Sequence, residues 1–225
     1  FFVAFAPWAA RNWEVYHRFI PFNSNAGIQL YVGNHEGATG EQEPAPGLAP
    51  YFAELGPVGA ERRAASDAVA FIVAYPFTFL RTSFARASIY FSVARPNAFW
   101  FHLHGSTQAI TIILSSCYAL LLFVFGFLGI VSVRALSASD RASARWLFWM
   151  LLLMPLAIVF VVVETRYRFL SYPFLALFAG FGAQELFTGR ASWKTMAWVL
   201  LFIFGNTIFD VVRNFARIIE RIYGI

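Results

Sequence analysis

Four long apolar stretches, each with at most one charged residue and that near its end, divide the second half of the chain. Each stretch predicts a membrane-spanning helix, because about 20 consecutive apolar residues cross the hydrocarbon core of a bilayer. Pro155 and Pro173 interrupt the second and third stretches, which membrane helices tolerate. The short turn between these two stretches predicts a tight antiparallel hairpin. The predicted spans cover residues 105–133, 146–163, 169–186 and 195–212.

The charged positions around these stretches predict loops and ends. Residues 134–145 and 185–194 are expected to be loops, and residues 213–225 alternate basic with apolar positions, which predicts an amphipathic tail at the membrane surface. Residues 1–10 are uncharged but half the length of a span, so we interpret them as the end of a truncated transmembrane helix that reaches the interface at Arg11. The chain is therefore expected to be the C-terminal portion of a longer protein.

Residues 11–104 have a different composition and predict an extramembrane lobe. Gly, Pro, Asn and Glu are frequent between residues 23 and 59, which favours turns. Residues 68–94 begin with 13 apolar positions that are then interrupted by Arg81 and Arg86, which favours an interfacial helix. The alternative is a spanning helix, which would reverse the side of every later loop.

The composition supports a membrane protein. Of 225 residues, 59% are hydrophobic and 13% charged, with a mean hydropathy of +0.61, whereas a soluble domain carries about a quarter charged residues. The 17 basic residues are scattered, so the net charge of +5 does not indicate a nucleic-acid partner. A lone cysteine, Cys117, excludes a disulfide framework. From residue 134 onward, five basic residues lie on each side of the predicted spans, so their count does not orient the chain.

A cluster of charged residues closes the second predicted span. If the helix continues through it, Glu164 and Arg168 stand four apart and can pair, while Arg166 points about 200° away. A guanidinium at headgroup depth can hold a lipid phosphate through forked, charge-assisted hydrogen bonds. Arg166 and Arg168 are therefore candidate ligands of a donor phosphate, with Tyr167 and Glu164 in support. The alternative is that both arginines only reach toward lipid headgroups.

Side-chain amides and glycines follow the first predicted helix, over residues 23–40. Such residues allow sharp turns, and their polar groups suit hydroxyl-rich ligands such as sugars. The alternative is a loop that satisfies its own hydrogen bonds. The candidate residues near substrate are Arg11, Asn25 and Asn34.

Other polar residues carry weaker signals. His102 and His104 diverge on a helix and have no nearby acid, so interfacial anchoring is expected rather than a metal site. Asp210, near the end of the fourth span, is expected to pair with Arg213 or Arg217. The acidic residues of the lobe are expected to be solvated, with no bound metal: Glu36, Glu41 and Glu43.

Four segments resemble one known family. Residues 6–13 read APWAARNW and residues 30–40 read LYVGNHEGATG; residues 68–80 are apolar around Pro76, and ETRYR at residues 164–168 precedes Pro173. This pattern is similar to that of family 39-like glycosyltransferases, the polytopic GT-C membrane enzymes related to protein mannosyltransferases and to the aminoarabinose transferase of lipid A. One departure is Asn25-Ala26-Gly27, where the family has an Asn-Gly-Gly-like turn.

The resemblance implies an all-α, polytopic GT-C-like helical bundle with an extramembrane lobe. It implies location in a bacterial inner (plasma) membrane with the active face periplasmic or extracellular. The implied activity is inverting transfer of a sugar from a polyprenyl-phosphate carrier to a lipid, glycan or protein acceptor. The family's catalytic base is an acidic residue in an upstream loop, so no residue of this chain is assigned as the catalytic base.

The same resemblance sets the expected partners. They are the polyprenyl-phosphate sugar donor, the acceptor and membrane lipids, with no nucleic acid. No cofactor is assigned, although a divalent cation is left open. Two other functions fit a chain of this composition: a membrane transporter or flippase fragment, in which intramembrane charges line a pathway, and a non-catalytic membrane scaffold subunit.

Overall fold

A computed structural model describes residues 2–20, 25–95 and 105–223, and within these ranges the fold is all-α. Two short 3-10 helices, Val133–Ala135 and Thr165–Leu170, lie between the longer helices. The α-helices are α1 (Phe2–Tyr16), α2 (Ala26–Gly33), α3 (Leu48–Ala74), α4 (Pro76–Phe91), α5 (Gly105–Ser132), α6 (Ala138–Val161), α7 (Tyr172–Phe187) and α8 (Trp193–Tyr223).

Among the described residues, three helices are long and apolar enough to cross a membrane: α5 with the 3-10 turn after it, α6 and α8. Helices α3 and α4, which form a bent pair, are together also long and apolar enough to cross a membrane. If this pair is one broken span, the number of spans rises to four. Large apolar side chains such as Leu114, Trp149 and Trp198 are exposed on the three long helices. Exposed apolar faces of this extent fit a lipid environment. The chain is therefore an all-α protein with helices suited to span a membrane.

The described chain forms two compact units. The first comprises Phe1–Ser83 with Phe160–Val162, and in it α2 packs against α3. The helices approach most closely at Gly27, where a Cβ atom would collide with the Glu61 carbonyl oxygen and with the side chain of Ala65. The Gly27 N–H also donates to Glu61 Oε1 at 3.2 Å. The apolar core of this unit contains Ile28, Val32, Ala64 and Val162.

The second unit comprises Phe84–Val159 and Val163–Ile225, and its tightest packing joins α5 to α7. A Cβ atom on Gly129 would collide with the Phe178 carbonyl group, and one on Gly182 would collide with the Phe125 carbonyl oxygen. Small residues at such positions let two membrane helices approach backbone to backbone. The predicted hairpin of α6 on α7 is therefore wrong, because α5 packs most extensively on α7.

The start of α6 differs from the prediction. The sequence predicted a loop over residues 134–145, yet α6 begins at Ala138, eight residues before the expected span. Ser137 explains this early start, because its Oγ accepts the Asp140 N–H at 3.2 Å and also donates to Asp140 Oδ2 at 2.6 Å. A serine followed three residues later by an acid is a helix-capping arrangement, so the supposed loop signal is a helix N-terminus.

The first unit corrects three further predictions. Helix α1 does not end at Arg11 but continues to Tyr16, and His17 then adopts a φ of 51°. The expected turn at Asn25-Ala26-Gly27 is the beginning of α2, where glycine serves close helix packing. The single helix expected over 68–94 is broken at Tyr75, because the residue before a proline avoids helical geometry, and Pro76 opens α4 instead of lying mid-helix.

The last two helices also differ in length from the predicted spans. Helix α7 has 16 residues and is shorter than a full span. The predicted third span is therefore not among the helices that are long enough to cross a membrane. The predicted tail over 213–225 is not a separate element, because α8 continues to Tyr223 past a kink at Asn214, whose φ is −114°. Of the other predicted spans, 105–133 coincides closely with α5, whereas 146–163 and 195–212 overlap α6 and α8, which are both longer than predicted.

Candidate functional site

The Glu164–Arg168 segment is not a continuation of α6. Glu164 is extended, with φ −132° and ψ 141°, and the chain then forms the 3-10 helix Thr165–Leu170. The Tyr167 N–H donates to the Glu164 carbonyl oxygen at 3.0 Å, and the Ser171 N–H donates to that of Arg168 at 3.0 Å. The predicted helical pairing of Glu164 with Arg168 is therefore wrong, since the α-helical spacing of four residues on one face does not apply here.

Arg168 points into the protein. Its side chain is 1% exposed, and the guanidinium donates through Nη1 to the Ser92 carbonyl oxygen at 2.7 Å and through Nη2 to the Arg95 carbonyl oxygen at 3.0 Å. Burial lowers the pKa of Arg168, yet an arginine stays protonated at neutral pH. The guanidinium therefore ties the 3-10 helix to the segment that follows α4. The predicted contact with a donor phosphate would need a buried group to become accessible.

Arg166 points outward from the same 3-10 helix. Its side chain is 42% exposed, and Nη2 lies 2.7 Å from Oε2 of Glu164, which is 16% exposed. The guanidinium carbon also lies 5.7 Å from the centre of the Tyr167 ring, within the range of a cation–π contact. The geometry therefore brings two of the other predicted donor-site residues, Glu164 and Tyr167, into contact with the exposed Arg166.

A buried ion pair lies next to the residues that Arg168 binds. Arg95 donates to Asp210 through Nε at 2.7 Å and through Nη2 at 2.6 Å, and both side chains are almost fully buried. The Asn214 amide donates to Asp210 Oδ1 at 2.9 Å. The expected pairing of Asp210 with Arg213 or Arg217 is thus replaced by a partner 115 residues away in sequence. The position of Asp210 within an apolar span is the sequence signal for such a partner, because a carboxylate within a span needs a buried cation.

A small cavity adjoins this cluster. It has a volume of about 70 Å³, and its polar wall includes Tyr90, Arg168 and Ser171. The Tyr90 hydroxyl and the Ser171 Oγ share a hydrogen bond of 2.5 Å. Ligand pockets for small molecules occupy roughly 300–1,000 Å³. The cavity is therefore too small for a sugar.

The three candidate residues of the lobe have different environments. Asn34 is 1% exposed, and its amide donates to the carbonyl oxygens of Leu30, Phe160 and Val161 at 2.9, 3.3 and 3.2 Å. Asn34 therefore has a structural role, because its amide connects the end of α2 to the end of α6 within the first unit. Asn25 precedes α2 without a side-chain capping bond. Arg11 lies over Trp8 at 5.4 Å and donates to Asn12 at 3.2 Å, so a ligand role stays a prediction for Arg11 and Asn25.

The weaker predictions have mixed outcomes. Glu41 is 3% exposed, which contradicts the expectation that it is solvated, and Glu43 accepts a hydrogen bond of 2.8 Å from Thr39. In residues 2–20, 25–95 and 105–223, no group of three or more His, Cys, Asp or Glu side chains is arranged to hold a metal ion. His102 and His104 lie outside the described residues. Comparison with protein-family models, curated proteins and solved structures finds no match to this chain.

Proposed function

We propose that this chain belongs to an integral membrane glycosyltransferase that moves a sugar from a polyprenyl-phosphate carrier to a lipid, glycan or protein acceptor. Two facts support the proposal: the motif resemblance described above and the accessible Glu164–Arg166 pair directly after a helix suited to span a membrane. The observation that carries it is the opposite placement of two arginines, with Arg168 holding the 3-10 helix and Arg166 presented at its surface.

The exposed guanidinium suits the leaving group of this reaction. When an acceptor hydroxyl attacks the anomeric carbon from the opposite face, its proton passes to the base that the resemblance places in an upstream loop, and the bond from that carbon to the phosphate oxygen breaks. The bonding electrons leave with the polyprenyl phosphate, whose charge rises from about −1 to about −2. A cation beside the phosphate therefore stabilises the transition state more than the bound donor, which is the requirement for rate acceleration.

The residues divide into two roles under this proposal. Arg166 binds the donor phosphate through charge-assisted hydrogen bonds, and Tyr167 supports the guanidinium from its ring face. Glu164 orients Arg166 in the absence of donor and releases it when the phosphate arrives. Arg168 is a positioning residue, because its guanidinium binds backbone carbonyl groups. The proposed location is a bacterial inner membrane with this segment on the periplasmic or extracellular face.

The experiment uses the full-length gene product in proteoliposomes that contain radiolabelled polyprenyl-phosphate hexose or pentose, with membrane extract as acceptor. Arg166→Ala removes a hydrogen-bonded charge contact of about 1.5–3 kcal/mol. This predicts transfer that is about 10- to 150-fold slower. Arg190→Ala is the matched control, because Arg190 also pairs with a glutamate, Glu185 at 3.3 Å, but lies at the other end of α7.

The outcomes separate the enzyme from its alternatives. Slow transfer by Arg166→Ala with normal transfer by Arg190→Ala supports the donor site, and equal rates in both variants remove Arg166 from it. If the wild-type protein transfers neither sugar, the glycosyltransferase proposal fails. A non-catalytic scaffold subunit then becomes the better account, provided that the same liposomes also show no lipid movement.

A flippase is the second candidate, and one observation favours it. Helices α3 and α4 are long and apolar enough to cross a membrane only as a pair, which is bent by 106°. Broken helices of this kind line pathways in transporters. The same proteoliposomes distinguish the two functions. A flippase moves the labelled polyprenyl-phosphate sugar between leaflets without changing its chemistry, whereas a transferase converts it to polyprenyl phosphate and a glycosylated acceptor.

A further inference from the structure

A second accessible pocket lies at the turn between α5 and α6, within the second unit. It encloses about 740 Å³, which is within the size range of small-molecule and lipid-headgroup sites. Its walls come from the end of α5, the 3-10 helix Val133–Ala135, the beginning of α6 and one residue of α7. Because α5 and α6 are both suited to span a membrane, their shared turn lies where a span meets the headgroup region.

Three arginines line this pocket: Arg134, Arg141 and Arg145. Arg141 and Arg145 are four residues apart on α6 and therefore share one helix face, where like charges repel. Within the described residues, none of the three guanidinium groups has an ion pair or a side-chain hydrogen bond. The adjacent acid, Asp140, is held by Ser137 at 2.6 Å and does not line the pocket. The pocket therefore has a concentrated positive charge without a counter-charge from this part of the chain.

The remaining walls are apolar or small. Ile130, Val131, Phe148 and Phe178 contribute large apolar side chains to the wall, and Ala138 and Ala142 contribute small ones on the part of α6 that also carries Arg141 and Arg145. A ligand that matches these walls has an anionic head for the guanidinium groups and a hydrocarbon part for the apolar side chains. A free phosphate ion would match only half of this surface.

We propose that the pocket between α5 and α6 binds the phosphate headgroup of an anionic phospholipid through Arg134, Arg141 and Arg145. Basic pockets between membrane helices are a general means of recognising such headgroups. This site differs from the proposed donor site, which lies after the other end of α6, and it does not depend on the glycosyltransferase proposal. Its consequence is that the turn between α5 and α6 becomes ordered around a resident lipid.

The test measures lipid retention by the full-length protein with native mass spectrometry. The protein is purified in a neutral detergent and titrated with phosphatidylglycerol, and phosphatidylcholine of the same acyl length serves as the neutral lipid. We expect the wild-type protein to retain phosphatidylglycerol and Arg141→Gln/Arg145→Gln to bind it about 10- to 30-fold more weakly. The matched control is Arg190→Gln/Lys194→Gln, which removes two exposed positive charges, one from the turn between α7 and α8 and one from the first turn of α8.

A third variant tests the pocket without changing any charge. Ala142→Phe fills the space between Arg141 and Arg145 and is expected to reduce phosphatidylglycerol retention to the level of the charge variant. Thermal unfolding of each variant in detergent shows whether the fold is intact. The charge variant adds no bulk and the steric variant changes no charge, so a loss of lipid that both show with an intact fold is due to the pocket itself.

The outcomes are decisive in both directions. Selective loss of phosphatidylglycerol in Arg141→Gln/Arg145→Gln and in Ala142→Phe supports the site. The proposal is overturned if the control variant loses the lipid equally, since general surface charge then explains retention. It is also overturned if Ala142→Phe binds normally, or if 10 mM inorganic phosphate competes as well as the lipid, because the apolar wall then contributes nothing.

Discussion

Replacement of Asp210 by asparagine is expected to destabilise the protein strongly. The substitution preserves the size of the side chain but removes its charge, so no cavity complicates the result. It leaves the Arg95 guanidinium, whose exposure is 3%, without the carboxylate that accepts its two bonds of 2.6 and 2.7 Å. Removal of one partner of a buried ion pair costs about 3–5 kcal/mol, because the other charge remains buried and uncompensated.

This free energy converts into a measurable change in melting temperature. For a chain of 150–250 residues, 1 kcal/mol shifts the midpoint by about 2–4 °C, so Asp210→Asn is expected to melt about 6–20 °C below the wild type. The assay is thermal unfolding of detergent-solubilised protein, followed by intrinsic fluorescence and by size-exclusion chromatography of heated samples. Asp140→Asn is the matched control, because Asp140 is exposed at the start of α6, and a shift of no more than about 2 °C is expected there.

The double variant Arg95→Met/Asp210→Asn separates the ion pair from other effects. Removal of both charges eliminates the uncompensated guanidinium, so the double variant is expected to be more stable than Asp210→Asn alone. The Arg95 carbonyl oxygen is unaffected and still accepts from Arg168. A melting temperature of Asp210→Asn within 2 °C of the wild type would refute the reasoning, as would a double variant that is no more stable than the single one.

Three further predictions follow from packing and from the apolar helices. Gly129→Ala places a Cβ atom against the Phe178 carbonyl group and is expected to lower the free energy of unfolding by about 1–3 kcal/mol, measured by thermal unfolding. The control is Gly180→Ala, which has open space around it and is expected to be neutral or stabilising by up to about 1 kcal/mol. Asn34→Ala leaves buried carbonyl groups without a donor and is expected to lower stability by about 1–3 kcal/mol in the same assay. Cys117 is exposed in the middle of α5, so a membrane-impermeant maleimide is expected to label it in detergent and not in sealed membrane vesicles; equal labelling in both would contradict a spanning α5.

Much of the helical framework could be predicted from the sequence. Long uncharged stretches specify α5, α6 and α8, because no other arrangement satisfies backbone polar groups within a bilayer. Their ends are less predictable, since they depend on local capping. Ser137 and Asp140 start α6 within a stretch that looks like a loop, and Gly27 serves helix packing in a stretch that looks like a turn.

The candidate site shows the same division between sequence and structure. The sequence identified residues 164–168 as a charged cluster after an apolar helix, but it predicted the wrong partner for Glu164, which pairs with Arg166 and not with Arg168. It did not indicate that Arg168 turns inward, because the carbonyl groups that Arg168 binds lie 73 and 76 residues earlier. Arginines two residues apart have the same chemistry in sequence and opposite environments in the fold.

The sequence by itself therefore determined where apolar helices form, and the tertiary structure alone decided which charged residues meet. Apolar burial depends on composition over a continuous stretch, so it can be recognised without knowing the partner. A buried charge instead requires one specific counter-charge, because an uncompensated ion in a region of low dielectric constant is costly. For Asp210 this counter-charge is Arg95, which lies 115 residues away in sequence, and only the packing of the helices brings the two side chains into contact.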